Sequence, residues 1–488
     1  MEPFAAPGTA HDRAVGALLG LAVGDAVGTT LEFKAPGSFE PITDLVGGGP
    51  FDLRAGAWTD DTSMALCLAE SILDIGGQDH GDQMRRYLRW WRHGYLSSTG
   101  RCFDIGGTTS TQLARFERTG EPVAAEVDEE SAANGSLMRL AAVPIRWHAD
   151  AVEAAEQAAA SSRPTHAAAR PVDACRVLGG LTAALIGGAD PDEVLAPGYW
   201  PSADLHPAVA AVAEGSWQGK EPPAIRGSGY CVDALEAALW AVTGATDVRD
   251  AVLRAANLGD DADTTAAIAG QLAGARWGMS SIPAEWREHI VLGERIAELA
   301  TGLFRAGGGS APHARWPHDH QVHAWWVEPR ELLAGEYPGD PDDSQARRNV
   351  DLLVDAGMRT FVDLTEEGES GLRPYAAHLE AIAEARNLDL RHQRLPIPDF
   401  HVLADDAGYD AILAAIAEAR ARGPVYVHCW GGKGRTGTVI GCLLADEGRT
   451  YDEVIAQLAT LRHGTRKAQH EVPESDAQHA VLRRRAHR

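Results

Sequence analysis

The stretch VYVHCWGGKGRTGTVIGCLLADEG, residues 425–448, decides how the last third of the chain folds. Its first residues read as a buried strand ending at Cys429, and apolar residues at helical spacing resume after Arg435. Between them lie Trp430, Gly431, Gly432, Lys433 and Gly434, a loop whose glycines permit tight curvature. A strand that runs through such a loop into a helix aims backbone N–H groups and the helix N-terminus at one point. That arrangement cradles a dianionic phosphate. The same groups stabilise a thiolate at Cys429. Arg435, six positions on, can clamp two phosphoryl oxygens in a bidentate fork, and Thr436 is placed to hydrogen-bond the sulfur. The chemistry is attack on phosphorus by Cys429, giving a phosphocysteine that water then hydrolyses. Such a path needs a general acid, and Asp399 in PIPDF, residues 396–400, is the candidate, with Asp405 and Asp406 as alternatives.

Around this stretch, MRTFVDL (358–364) and LDLRHQRLPI (388–397) read as strands and YDAILAAIAEARARG (409–423) as a helix. A further helix, YDEVIAQLATLR, follows the cysteine loop. Strands alternating with helices argue an α/β domain. The motif resembles the protein tyrosine and dual-specificity phosphatases over residues 325–485, which implies a central mixed sheet and no cofactor. In that resemblance Asp399 matches a mobile acid loop, and PESDAQ (473–478) looks like a segment whose glutamine lies near the active site. Lys433 between glycines is similar to the loop of phosphatases acting on inositol lipids and to that of some atypical dual-specificity enzymes, and an extra cation there would favour highly charged substrates.

Composition shifts near residue 306, and residues 306–324 (AGGGSAPHARWPHDHQVHA) read as a linker, its histidines His313, His318 and His320 taken as polar linker rather than metal ligands. Before it, residues 10–305 are rich in alanine, leucine and glycine. HDRAVGALLGLAVGDAVG, DTSMALCLAESIL, CRVLGGLTAALIG, CVDALEAALWAV and TTAAIAGQLAGARWG all carry helical periodicity, too apolar for a surface. The expectation is a large all-helical domain with several central helices. Its small residues permit close helix packing.

Two acidic clusters interrupt these helices: Trp58-Thr59-Asp60-Asp61-Thr62 and Asn257-Leu258-Gly259-Asp260-Asp261-Ala262-Asp263-Thr264-Thr265. Capping accounts for one Asp or Thr at each helix start. It does not account for adjacent aspartates in apolar surroundings, which repel unless a cation neutralises them. Carboxylates and threonine hydroxyls make an all-oxygen site suited to Mg²⁺ or Mn²⁺.

GLAVGDAVGTTLEF, GAWTDDTSMAL, FDIGGTTS, NGSLMR, THAAA and NLGDDADTTAAI occur in the order of the ADP-ribosylglycohydrolase family, which includes the dinitrogenase-reductase-activating hydrolase. The resemblance implies an all-α fold with two Mg²⁺ (Mn²⁺ as the alternative) and metal-dependent hydrolysis at the anomeric carbon of ADP-ribose. It assigns Thr59, Asp60 and Asp61 to one ligand set and Asp261, Asp263 and Thr264 to the other. Asp260 stands behind them in a place often held by glycine. Glu32 matches a glutamate that gates or helps activate the site, and Asp104 an aspartate near the ribose. Gly106-Gly107-Thr108-Thr109 departs from the commoner Gly-Asn-Thr-Thr. Asn134, Gly135, Ser136, Arg139, His166 and the Gly227-Ser228-Gly229-Tyr230 loop are implied substrate contacts, with an ordinary loop and a hydrogen-bonded core histidine as the structural alternatives for NGSLMR and His166. The leaving group stays open between arginine, serine, a nucleic-acid end and a small molecule.

Bulk properties narrow the classes. The net charge is −25, so no basic footprint supports a stable nucleic-acid partner. Six scattered cysteines suggest neither a disulfide framework nor a zinc site, and a reducing, cytoplasmic compartment is expected. No secretion signal and no membrane span are expected. The whole reads as a bifunctional hydrolase acting on an ADP-ribosylated and a phosphorylated substrate. The competing reading keeps one domain catalytic and makes the other an ADP-ribose- or phosphate-recognising module.

Overall fold

Thr9 opens the helix Ala10–Gly28 by accepting a hydrogen bond from the Asp12 amide, and almost every residue of the helix from His11 onward is buried. In this computed structural model, which describes residues 5–124, 127–309, 316–329, 331–369 and 371–487, that helix packs lengthwise against Ala262–Trp277. Glycine recurs at every fourth position of the first helix, and the pair touches backbone to backbone there. A Cβ added at Gly20 would lie 2.3 Å from the Gly270 carbonyl oxygen, and one at Gly24 would lie 2.0 Å from that of Ala266. In return, a Cβ at Gly274 would lie 1.9 Å from the Gly16 oxygen. The expectation of close packing through small residues describes this pair.

Ala10–Leu31 differs from expectation in one respect. It is long and apolar enough to cross a membrane, with mean hydropathy 1.6, but 94% of that window is buried inside the protein, as befits a core helix.

The chain divides into two compact units, Met1–Pro312 and His313–Arg488. The first is all-α among its described residues: helices Asp60–Ile75, Gly107–Thr119, Ala169–Gly187, Cys231–Thr243 and Gly293–Ala306 join the central pair, and strand pairing is limited to two isolated bridges. The second is α/β. Its strands β1 (Ala324–Glu328), β2 (Leu332–Gly335), β3 (Thr360–Asp363), β4 (Arg391–Arg394) and β5 (Val425–His428) form one mixed sheet in the order β1-β2-β5-β3-β4. β1 is antiparallel to β2, and the other pairs are parallel. Side chains alternate across the sheet. Val425 and Val427 meet Ile412, Ile416, Val439 and Leu458 on one side, while Tyr426 and Phe361 meet Val350, Leu353 and Leu379 on the other.

β1, β2 and the helices Asp343–Asp355 and Ala376–Arg386 have no counterpart among the expected elements. Of the expected linker, residues 310–315, His313 included, lie outside the described residues. Trp316, Val322 and His323 at its end are buried in the second unit.

Candidate active sites

The close packing of the two glycine-lined helices brings acidic residues from distant segments together. Asp25, inside Ala10–Gly28 and fully buried, accepts from the Thr59 amide (2.8 Å) and hydroxyl (3.0 Å) and from the Thr62 amide (3.1 Å) and hydroxyl (2.7 Å). It therefore caps Asp60–Ile75 from a neighbouring helix and fixes Asp60 and Asp61 at that helix's first turn. Glu32 accepts from the Ala262 amide (2.7 Å) and the Asp263 amide (3.2 Å), the opening turn of Ala262–Trp277. Oxygen atoms of Glu32, Asp261 and Asp263 lie within 4.8 Å of one another. Thr59 bridges toward Asp263 Oδ2 (3.4 Å) and Thr264 toward Asp61 Oδ1 (3.4 Å), so the two expected ligand sets form one cluster.

Burial and mutual repulsion dominate its electrostatics. Burial first, then the charge of Asp261, pushes Glu32 up to about 8. Burial lifts Asp104 to about 7 and Asp25 to about 6, in each case against hydrogen bonds that favour the charged form. Burial also raises Asp60, Asp61 and Asp263 well above the ordinary carboxylate range, with neighbouring carboxylates adding to the rise. Asp61 Oδ2 is buried and has no hydrogen-bond partner. Concentrated acid oxygens with one orphaned acceptor fit a hard divalent cation.

The remaining expected residues divide by position. Asn134 donates to Asp261 Oδ2 (2.8 Å), and Gly229 lies so close that a Cβ there would sit 3.4 Å from the same oxygen. Tyr230 and Gly106 each precede a helix, Cys231–Thr243 and Gly107–Thr119. Ser136 and His166 are buried. The Ser136 hydroxyl is bonded by Ser162 (2.8 Å), and His166 Nδ1 shares a hydrogen bond with Thr165 Oγ1 (2.8 Å). Burial, then Arg139, lowers His166 to about 3, so its ring is neutral. Asp260 is exposed with φ +61°, and its backbone exchanges hydrogen bonds of 2.8 Å with Phe33 and Lys34, which fixes the segment carrying Glu32. Asp25 is the residue sequence reasoning missed. Its signal was a lone charge inside an apolar, glycine-spaced helix.

In the second unit, Cys429 follows the central strand β5 and is 3% exposed. The loop crosses the end of β2 closely: a Cβ at Gly432, where φ is +69°, would lie 2.5 Å from the Gly335 carbonyl carbon. Arg435 opens the helix Gly434–Asp446. Its two Nη groups donate to the two Glu369 carboxylate oxygens at 2.7 and 2.8 Å, and Nη1 also donates to the Ile397 carbonyl at 3.1 Å. Asp399 reaches Arg435 Nη2 at 3.0 Å, so the expected acid sits beside the expected clamp. Of the alternatives, Asp405 caps Asp406–Arg420, and Asp406 is paired with Arg484 at 2.6 Å.

The Thr436 hydroxyl lies 3.5 Å from the Gly335 carbonyl oxygen, at the end of β2. Trp430 is 46% exposed at the rim. Lys433 pairs with Glu474 at 2.6 Å, and Gln478 caps its own helix by accepting from the Glu474 and Ser475 amides.

Behind the cysteine, His428 Nε2 shares a 2.6 Å hydrogen bond with the Tyr375 hydroxyl. Burial lowers His428 to about 4 despite Asp363 nearby, so a neutral ring supports the base of the loop. Burial pushes Asp363 up, but bonds from His392 and Thr365 and the proximity of His428 outweigh it and hold its carboxyl below the ordinary range. Glu369 is the missed residue here; nothing in TEEGES sets it apart from a solvated acidic turn.

Residues 6–312 match the ADP-ribosylglycohydrolase family, and residues 322–488 match the family described as Swiss Army Knife protein, DSP-PTPase phosphatase domain. Over 299 residues the chain is 48% identical to the ADP-ribosylarginine hydrolase Tri1 of Pseudomonas putida strain GB-1, covering 61% of this chain and 79% of that protein. Over 280 residues it is 32% identical to the ADP-ribosyl-[dinitrogen reductase] glycohydrolase of Rhodospirillum rubrum, covering 57% and 89%. A solved structure described as an ADP-ribosylglycohydrolase-related protein complex superimposes with TM-score 0.55 at 42% identity, covering 61% of this chain and 99% of that one.

Proposed function

This chain belongs to the ADP-ribosylglycohydrolase family and carries a dual-specificity-type phosphatase domain after it in sequence, and we propose that it hydrolyses two bonds. The first is the N-glycosidic bond of ADP-ribosyl-arginine, in a reaction dependent on a divalent cation. The second is a phosphomonoester, through Cys429. The choice of arginine is supported by the hydrolase from Pseudomonas putida, whose described activity is on that linkage. Free cysteines throughout favour a reducing, cytoplasmic setting.

The observation that carries the first activity is the buried acid cluster with its orphaned Asp61 Oδ2. Thr59, Asp60, Asp61, Asp261, Asp263 and Thr264 would hold two Mg²⁺, and the same oxygen set accepts Mn²⁺. Bound there, the cations supply positive charge that orients ribose hydroxyls and acidifies water. The chain's own groups do the rest. Glu32, held by two amides, accepts a proton from the attacking water. Asn134 fixes the Asp261 carboxylate. The surrounding carboxylates favour positive charge developing at the anomeric carbon. Water adds to that carbon as its bond to the arginine nitrogen breaks, and the proton that Glu32 took from the water passes to that nitrogen, which leaves as the free guanidine.

In the second unit, Cys429 Sγ forms a bond to phosphorus as the ester oxygen departs, taking a proton from Asp399. Arg435 and the loop amides hold the non-bridging oxygens. Water then attacks phosphorus, Asp399 takes a proton back, and inorganic phosphate leaves the free thiolate.

The test measures ADP-ribose release from ADP-ribosyl-arginine and phosphate release from p-nitrophenyl phosphate, with Mg²⁺ or EDTA, on the intact chain and on Cys429→Ser. EDTA is expected to stop only ADP-ribose release, and Cys429→Ser only phosphate release. Cation-independent release of ADP-ribose, or phosphate release that survives loss of the thiol, would overturn the corresponding half.

A further inference from the structure

The cations that touch the phosphatase loop are each already matched by a carboxylate. Arg435 holds both oxygens of Glu369 and one of Asp399. Lys467, which donates to the Gly431 carbonyl at 3.1 Å, pairs with Glu336 at 2.7 Å. Lys433, the additional cation within the loop, pairs with Glu474 Oε1 at 2.6 Å. The second oxygen of Glu474 accepts from the Gly434 amide at 3.0 Å, where the loop becomes helix. One carboxylate thus takes both the extra charge of the loop and one of its N–H groups.

Glu474 is itself held. Its own amide donates to Gln478 Oε1 at 3.0 Å, and the Ser475 amide donates to the same oxygen at 3.3 Å. Ser475 and Gln478 form a reciprocal capping box at the start of Asp476–Arg485. The carboxylate is therefore presented from the anchored end of a helix. The pair is partly exposed, with side chains 21% and 30% accessible, so it stands at the solvent-facing edge of the loop.

We propose that Glu474 is a specificity-determining residue of the phosphatase site: by neutralising Lys433 it restricts the loop to substrates carrying a single phosphate and disfavours polyphosphorylated ones. This rests on the phosphatase reading above and reverses the preference that Lys433 alone implies. A substrate with several phosphates needs surplus cations at the rim. Here Lys433 offers none, and the Glu474 carboxylate beside it adds negative charge that opposes a further phosphate.

The test uses the intact chain with p-nitrophenyl phosphate as the single-phosphate substrate and myo-inositol hexakisphosphate as the polyanion, read as a competitive inhibitor. Glu474→Gln is expected to tighten inhibition by about tenfold at low ionic strength relative to kcat/KM for the monophosphate. The gain should fade in high salt and vanish when Lys433→Gln is added. Glu474→Asp, which keeps the charge, should stay near the parent. An unchanged ratio of inhibition to turnover in Glu474→Gln overturns the proposal. So does monophosphate activity that collapses in Glu474→Gln but survives in Glu474→Asp, which would make Glu474 a support of loop shape. If the parent turns over no monophosphate, the phosphatase reading fails separately, and direct binding of the polyanion, measured by calorimetry, still decides the role of Glu474 by the same comparison of variants.

Discussion

Asp61 Oδ2 is buried without a hydrogen-bond partner, and burial with the charges of Asp25 and Asp60 raises its carboxyl well above the ordinary range. A buried carboxylate in that state destabilises the fold unless a counter-charge meets it, and the proposed cation would supply one. Asp61→Asn removes the repulsion and, on the proposed reading, a ligand. It is expected to raise the melting temperature in EDTA, abolish the stabilisation by Mg²⁺ and lower ADP-ribose release on the order of 100-fold. Thermal melts with and without Mg²⁺, beside the release assay, check all three; a variant that keeps its activity sinks the ligand assignment. In the other unit, Glu369→Gln takes one carboxylate from the Arg435 fork. It is expected to lower kcat/KM for p-nitrophenyl phosphate by about tenfold while ADP-ribose release stays at the parent level. How far these residues were legible depended on sequence distance. Cys429 and Arg435 stand six positions apart, so one short motif displays both. Glu369 acts on Arg435 across 66 residues and Asp25 on Thr59 across 34, and no local pattern announces partnerships that the fold creates.

The helix pair Ala10–Gly28 and Ala262–Trp277 is the element that makes the acid cluster possible, because backbone contact lets Asp25 and Glu32 reach the neighbouring helix starts. Any side chain in the seam forces the two apart. Gly24→Val would drive a Cβ to within 2.0 Å of the Ala266 oxygen, so the chain must shift. The expected cost is about 1–3 kcal/mol of stability together with weaker Mg²⁺ binding. Denaturant unfolding and Mg²⁺ titration measure the two effects. Loss of stability with cation affinity intact would show that the seam supports the fold without setting the site. The long helices were legible because their periodicity runs over many residues. β1, with Trp325 and Trp326 buried on opposite cores, shows an unbroken apolar run instead of alternation, and β2 is a four-residue segment. Short strands covered on both faces carry no period to read.

At the scale of the whole molecule, a net charge of −25 is gathered partly into one interior cluster, so stability and cation binding are tied to pH. Glu32 rises from 4.5 to about 8, Asp104 from 3.8 to about 7 and Asp25 from 3.8 to about 6. Between the ordinary value and the raised one, the folded chain holds protons that the unfolded chain has released. Stability in EDTA therefore falls as pH rises, beginning near the ordinary carboxylate values and ending near pH 8. On the proposed reading, divalent cations act in the opposite sense, since they would bind the ionised cluster and displace its protons. The melting transition that Mg²⁺ moves is expected to drop between pH 5 and pH 8 in EDTA, and the upward shift caused by Mg²⁺ to grow over the same window. Asp61→Asn should flatten both trends, because it removes one of the charges that repel. Melts of the intact chain across that range decide the matter. A transition in EDTA that holds steady with pH, or a Mg²⁺ shift as large at pH 5 as at pH 8, would mean that the cluster is ionised throughout and that its charge is compensated by something other than protons and cations.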